Sequence, residues 1–157
     1  MRIVECAPDF KDWADLHDLI LTAFAGMASR IDPPSSALDL TPETLREKAR
    51  REIVHLAYAD DGSLVGCVFC RPEPPETLYI GKLAVRPDLQ GNGLGRSLVE
   101  TAAAIATHRG FSRLRLETRI ELTGNHCAFS AMGFVVTREG RHPGFDCTTF
   151  IEMQKRV

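Results

Sequence analysis

The sequence predicts a single-domain mixed α/β fold of about seven strands and four helices. Three observations lead there. The chain has 157 residues, 44% hydrophobic and 25% charged, a size and balance that suit one soluble domain with a sizeable core. Its apolar residues switch between strand and helix period in the order β-α-α-β-β-β-α-β-α-β-β, with no internal repeat or linker. At its centre a strand, a glycine cluster, a helix and a second strand follow one another, a crossover that makes the two strands parallel.

The elements follow in chain order. "RIVEC" (2–6) is a short first strand. A helix capped by Asp9 or Asp12 runs to about residue 28, with Trp13, Leu16, Ile20, Ala23, Phe24 and Met27 on one apolar stripe. "SRIDPPSSALDL" (29–40) carries paired prolines and serines and is a loop. Thr41 caps a second helix, with Pro42 at its first position. "IVHLAYADDGSLVGCVFCR" reads as two strands joined at Asp60-Asp61-Gly62. "RPEPPE" (71–76) breaks the pattern before "TLYIGKLAV" (77–85), where Gly81 marks a bulge or a close backbone approach. Leu94, Leu98, Ala102, Ile105 and Ala106 stripe a helix that ends near Gly110, and "SRLRLETR" (112–119) alternates as a half-exposed strand. "NHCAFSAM" is a short helix stopped by Gly133, and "FVVTR" and "CTTFIEMQK" form a last pair of strands around the loop 139–146.

Composition excludes several functions. Nineteen basic and twenty-one acidic residues leave a net charge of −2, so nothing draws the whole chain to nucleic acid or an anionic membrane. "MRIVECAPDF" carries Glu5 and Asp9 and no apolar core of a signal peptide, and no apolar run is long enough to span a bilayer. The five cysteines are odd in number and scattered, as expected of reduced thiols in a cytoplasmic protein. Cys67 and Cys70 lie three apart in a strand, hence on opposite faces, and no second Cys/His pair completes a metal site.

The chemistry concentrates in "VRPDLQGNGLGRSL" (85–98), with glycine at 91, 93 and 95 where a helix begins. A helix N-terminus offers unpaired N–H groups and the positive end of a dipole, and glycine lets an anion reach them. A dinucleotide fold is the main competitor, with Glu117 as its acid, but the spacing is G-x-G-x-G and five residues separate strand from glycine. Too few residues follow Glu117 to complete a doubly wound sheet. A phosphate loop fails because no Gly-Lys-Ser/Thr closes it.

"LAVRPDLQGNGLGRSLVETA" resembles the acetyl-CoA-binding segment of the GNAT family of N-acetyltransferases. The early helices, the hairpin and "AFSAMGF" extend that resemblance over most of the chain. It implies an acyl-CoA N-acyltransferase fold across residues 1–157 and direct attack of a substrate amine on acetyl-CoA, with no metal. In that resemblance Leu83, Ala84 and Val85 lend backbone groups to the pantetheine arm, and Gln90, Gly91, Asn92, Gly93, Leu94, Gly95 and Arg96 wrap the pyrophosphate. A bulge near Gly81 or Lys82 splays the strand from 113–119 and frees an amide for the thioester carbonyl.

The chain departs from the family pattern at two positions. Four residues before Gly133, where a tyrosine often protonates the leaving thiolate, stands Phe129, read here as an apolar wall of the pantetheine channel. The family's asparagine position is Leu122, and Asn125 stands three residues later, to reach the pantetheine or to cap its helix. The general base is open among Tyr79, Glu117 and His142. Loops 29–40 and 139–146 wall the acceptor pocket with Asp32, Asp39, His142 and Asp146, which suits a cationic amine on a small molecule or a peptide. The expected protein is a monomer or homodimer. The alternative, favoured by Phe129, is a non-catalytic acyl-CoA sensor of the same fold.

Overall fold

The computed structural model describes residues 1–157. Its strands are β1 (Arg2–Glu5), β2 (Ile53–Tyr58), β3 (Leu64–Glu73), β4 (Thr77–Val85), β5 (Arg113–Arg119), β6 (Val135–Gly140) and β7 (Phe150–Arg156). They form one sheet in the order β1-β2-β3-β4-β5-β7-β6, antiparallel throughout except between β4 and β5. The helices are α1 (Trp13–Ala25), α2 (Pro42–Arg51), α3 (Leu94–His108) and α4 (Thr123–Ala131), so element number and order match the sequence reading. No helix is long and apolar enough to cross a membrane.

Each face of the sheet carries a core. Leu16, Ile20 and Leu45 of α1 and α2 pack with Leu56, Cys67 and Phe69 on one side. Leu98, Ala102 and Ala106 of α3 pack with Cys70, Leu78, Leu114 and Met153 on the other. Cys67 and Cys70 therefore face opposite cores, both buried, and burial pushes each thiol up to about 12. They are inert packing residues.

Three local expectations need correction. Asp12 occupies the N-cap of α1, but its side chain makes no capping bond, and the helix stops at Ala25. β3 does not break at residue 71; it pairs with β4 through Pro72 and Glu73. The proline is tolerated because β2 ends opposite Cys70, leaving Pro72 no ladder bond to donate on that side. Loop 29–40 contains a 3₁₀ turn over Ser36–Asp39. The cap of α2 is as expected and stronger: Thr41 and Thr44 each accept the other's backbone N–H.

The site is positioned by how β4 and β5 part. They pair over only three positions, Thr77↔Arg113, Leu78↔Leu114 and Tyr79↔Arg115. Beyond Gly81, two residues of β4, Lys82 and Leu83, oppose the single Val68, and Lys82 takes a φ of 43°. That bulge turns the strand, and a wedge opens between β4 and β5. The closed end is locked by Arg115, which grips Glu73 with two bonds of 2.9 and 3.0 Å and Glu152 with one of 3.1 Å.

Candidate active site

The wedge is a cleft of about 1160 Å³ that runs from the glycine loop to the loops at 30–39 and 141–143. At its glycine end, Gly91 and Gly93 hold φ values of 82° and 87°, and Gly93 is the N-cap of α3. A Cβ built on either meets nothing within 4 Å, so this backbone faces open space. The N–H groups from Gly91 through Arg96 make no bond to any backbone carbonyl. Six consecutive donors at a helix N-terminus form an anion cradle. Gln90 folds the loop back on β4, its Nε2 donating to the Val85 carbonyl at 3.0 Å. Arg96, exposed in the first turn and without a carboxylate partner, opposes the helix dipole unless an anion joins it.

The neighbouring wall is the stretch of β4 beyond Tyr79, where no strand pairs on the β5 side. Leu83, Ala84 and Val85 line the cleft there. Opposite stands α4, which has no fully buried side chain. Its N-cap is Leu122, whose carbonyl accepts from Asn125 N at 3.0 Å and His126 N at 3.3 Å. Asn125 is therefore inside the first turn and does not cap the helix. The cap falls on Leu122 because its buried side chain fixes the chain where β5 leaves the sheet. Asn125 and Phe129 both line the cleft, Phe129 meeting Phe134 edge-on at 5.8 Å.

The other half of the cleft holds the titratable groups. The Tyr79 ring lies between the guanidiniums of Arg71 and Arg115, 4.6 and 4.5 Å from its centroid. Burial, helped by Glu117, raises its pKa, so its hydroxyl stays protonated at neutral pH. Glu117 is exposed on β5, its Oε1 3.7 Å from Arg115. His142 pairs its Nδ1 with Thr149 Oγ1 at 2.5 Å, and its backbone N–H donates to the same oxygen at 2.9 Å. Burial lowers the His142 pKa and Arg119 lowers it further, which keeps the imidazole neutral at pH 7. All three side chains line the one cleft. No group of three or more His, Cys, Asp or Glu side chains is placed to hold a metal.

The Acetyltransferase (GNAT) family matches residues 13–134. The chain belongs to that family. Its fold is similar over all of both chains to the PaiA N-acetyltransferase of Thermoplasma acidophilum, solved with coenzyme A, at 16% identity and a TM-score of 0.82. A GNAT acetyltransferase of Elizabethkingia anophelis with acetyl-CoA bound is 21% identical with a TM-score of 0.73, covering 99% of this chain and 97% of its own. A Bacillus subtilis acetyltransferase solved with CoA is 22% identical at 0.71, covering 99% and 98%. No curated protein sequence matches the chain.

Within this GNAT chain, Asn92 and Leu94 are the two implied donor-binding residues that do not line the cleft. Leu94 is buried and anchors α3, while Asn92 is exposed on the loop. Asp32 and Asp146 likewise stand off the cleft, whereas Asp39 lines it. Three cleft side chains were given no role by the sequence, although Lys82 stood beside the expected bulge. Thr118 is buried with its Oγ1 unpartnered. Lys82, the bulge residue, donates Nζ to Ser36 Oγ at 3.0 Å, and burial lowers its pKa, with Lys48 adding to the effect. Arg119 donates to the carbonyls of Pro33 and Pro34 at 2.6 and 3.1 Å and so pins the 29–40 loop to β5. Gly81 signalled the bulge that carries Lys82; nothing local marked Thr118 or Arg119.

Proposed function

We propose that the protein is an acetyl-CoA-dependent N-acetyltransferase that acetylates a primary amine by direct attack. The observation that carries this is the run of six unpartnered N–H groups, Gly91 to Arg96, opening beside the unpaired edge of β4. The cradle fits the donor's pyrophosphate, with Arg96 as counter-ion. From there the pantetheine extends along Leu83–Val85 between β4 and α4, against Phe129 and within reach of Asn125 and the free Thr118 hydroxyl. Its thioester ends at the bulge, where an amide N–H of β4 donates to the developing oxyanion.

The acceptor enters from the far side. Glu117 draws its ammonium into the wedge, and His142 takes the proton that must leave before the nitrogen can attack. In the tautomer whose Nδ1–H donates to Thr149 Oγ1, the His142 Nε2 lone pair is the basic site. The amine nitrogen then bonds to the carbonyl carbon and carries a surplus proton. As the tetrahedral intermediate collapses, the C–S bond breaks, the electron pair leaves on the coenzyme A sulfur, and the proton that nitrogen sheds balances the one the thiolate takes up. Tyr79, held protonated, stands on the acceptor side of β4 as a hydrogen-bond donor.

Thermal shift and thiol release test the reading together. Acetyl-CoA raises Tm by mass action and NAD(H) at equal concentration does so little. Free coenzyme A thiol appears on adding a suitable amine from a broad panel. Binding without thiol release from any amine favours the sensor reading that Phe129 suggests. A larger shift with NAD(H) overturns the acetyl-CoA assignment altogether.

A further inference from the structure

We propose that the acceptor carries an acidic group, a carboxylate or phosphate monoester, beside its reacting amine, and that Lys82 and Arg119 bind this anion. The proposal rests on the acetyltransferase reading above and narrows its acceptor.

Both cations face the acceptor side of the cleft, and neither is hydrogen-bonded to a carboxylate. Lys82 donates to a hydroxyl, Ser36 Oγ, and Arg119 donates to two carbonyls, of Pro33 and Pro34. All three partners lie within residues 33–36, a stretch that spans at most about 11 Å. The two charges therefore converge on one short segment. Lys82 also sits near Lys48, which is itself held by Glu52. Carboxylates act on both from a distance, Glu52 and Asp39 on Lys82 and Glu121 and Asp32 on Arg119, but none bonds to either cation. Partly buried cations bonded only to neutral oxygens gain from an anion set between them.

The charge balance of this side points the same way. Arg30, Lys82, Arg119 and Arg141 line it against Asp39 and Glu117. The fifth lining cation, Arg96, belongs to the first turn of α3 at the glycine end. The donor brings no charge here, since pantetheine and thioester are neutral. Glu117 lies two residues before Arg119 on the same face of β5, so one acceptor can set its ammonium on Glu117 and its anion on Arg119 and Lys82. Lys82 is the bulge residue itself, so its side chain leaves the strand at the point where the proposed thioester ends.

Thiol release from acetyl-CoA is measured with matched acceptors: amino acids against their amides, and phosphoethanolamine against ethanolamine. One acidic arm is expected to exceed its neutral partner in kcat/KM by about tenfold to a hundredfold, and which arm does so identifies carboxylate or phosphate. Lys82→Met and Arg119→Met should bring that ratio to within about threefold of unity, whatever they do to the absolute rate. Neutral partners that equal or exceed their acidic counterparts in both arms overturn the proposal. So do variants that slow both members of a pair alike and keep the ratio. If acetyl-CoA binds but no amine releases thiol, the acetyltransferase reading fails. The anion site is then judged on the coenzyme A-loaded protein, where N-acetyl amino acids must raise Tm more than N-acetyl amino acid amides; equal shifts sink it.

Discussion

The two halves of the cleft are made of different material. The donor half is mainly backbone: six free N–H groups and an unpaired strand edge, shaped by glycines at positive φ. The acceptor half is side chains brought from four distant places, Lys82 on β4, Glu117 and Arg119 on β5, the loop at 33–36, and His142 before β7. A backbone site recognises what every acetyl-CoA shares and writes itself into sequence as glycine spacing. A side-chain site recognises what differs between acceptors and leaves no local pattern. The division predicts that each half fails separately.

The largest effect is expected on the acceptor side. His142→Gln should lower kcat/KM at neutral pH by about 10²–10⁴-fold and leave acetyl-CoA affinity unchanged. In the proposed mechanism the histidine works as the neutral base, and its pKa lies below the ordinary 6.5. Wild-type activity should therefore fall only as pH drops below about 6.5, and that acidic limb should vanish in the variant. A rate profile with the limb intact assigns the proton to another group.

The donor side should break in the opposite sense. Gly93→Val puts a β-branched side chain at φ 87° and in front of the N–H cradle. Losing one or two charge-assisted bonds weakens acetyl-CoA binding by about tenfold to a thousandfold. The variant should stay folded at some cost in stability from the positive φ, because its Cβ meets no neighbour. Wild-type affinity in calorimetry would mean that the glycines serve only the turn.

The closed end of the wedge, common to both halves, is tested through stability. Arg115→Met should cost about 1.5–3 kcal/mol in denaturant unfolding at pH 7, since it removes a bidentate bond to Glu73 and a bond to Glu152. The Arg115 hydrogen bonds, with Arg71, hold the Glu73 carboxyl below its usual range. A depressed carboxylate pKa contributes stability that is present above the unfolded value, about 4.3, and lost as pH falls through the folded one. The gap between variant and wild type should thus narrow below about pH 4. A gap independent of pH means that the guanidinium acts by packing on Tyr79 rather than by charge.

The limits of the sequence reading follow the same division. Strand and helix period, the Asp60-Asp61-Gly62 hairpin, the glycine loop and the bulge beside Gly81 are local, and each is present in the expected order, with element ends such as those of α1, α4 and β7 shifted by two or three residues. Pro72 misled because a proline's effect depends on whether a neighbouring strand needs its N–H, a tertiary fact. Asn125 misled because the burial of Leu122, not a side-chain oxygen, starts α4. Arg119 reaching Pro33 joins residues 86 apart, and no period announces such a contact.

The smallest expected effect sits where the two halves meet, at Phe129. Its ring meets Phe134 edge-on and lines the cleft. Phe129→Leu removes an aromatic pair of about 0.5–1.5 kcal/mol, so stability should fall by that order and the KM for acetyl-CoA should rise by no more than about tenfold. A phenyl ring carries no proton, so the pH profile should not move. Phe129→Tyr puts a hydroxyl in the cleft; where it points toward the sulfur it can protonate the leaving group, and since a thiolate leaves readily the gain should be small. If instead Phe129→Leu shifts the basic limb of the profile, the ring is positioning the leaving group's proton donor, and the separation of the two halves fails at this residue.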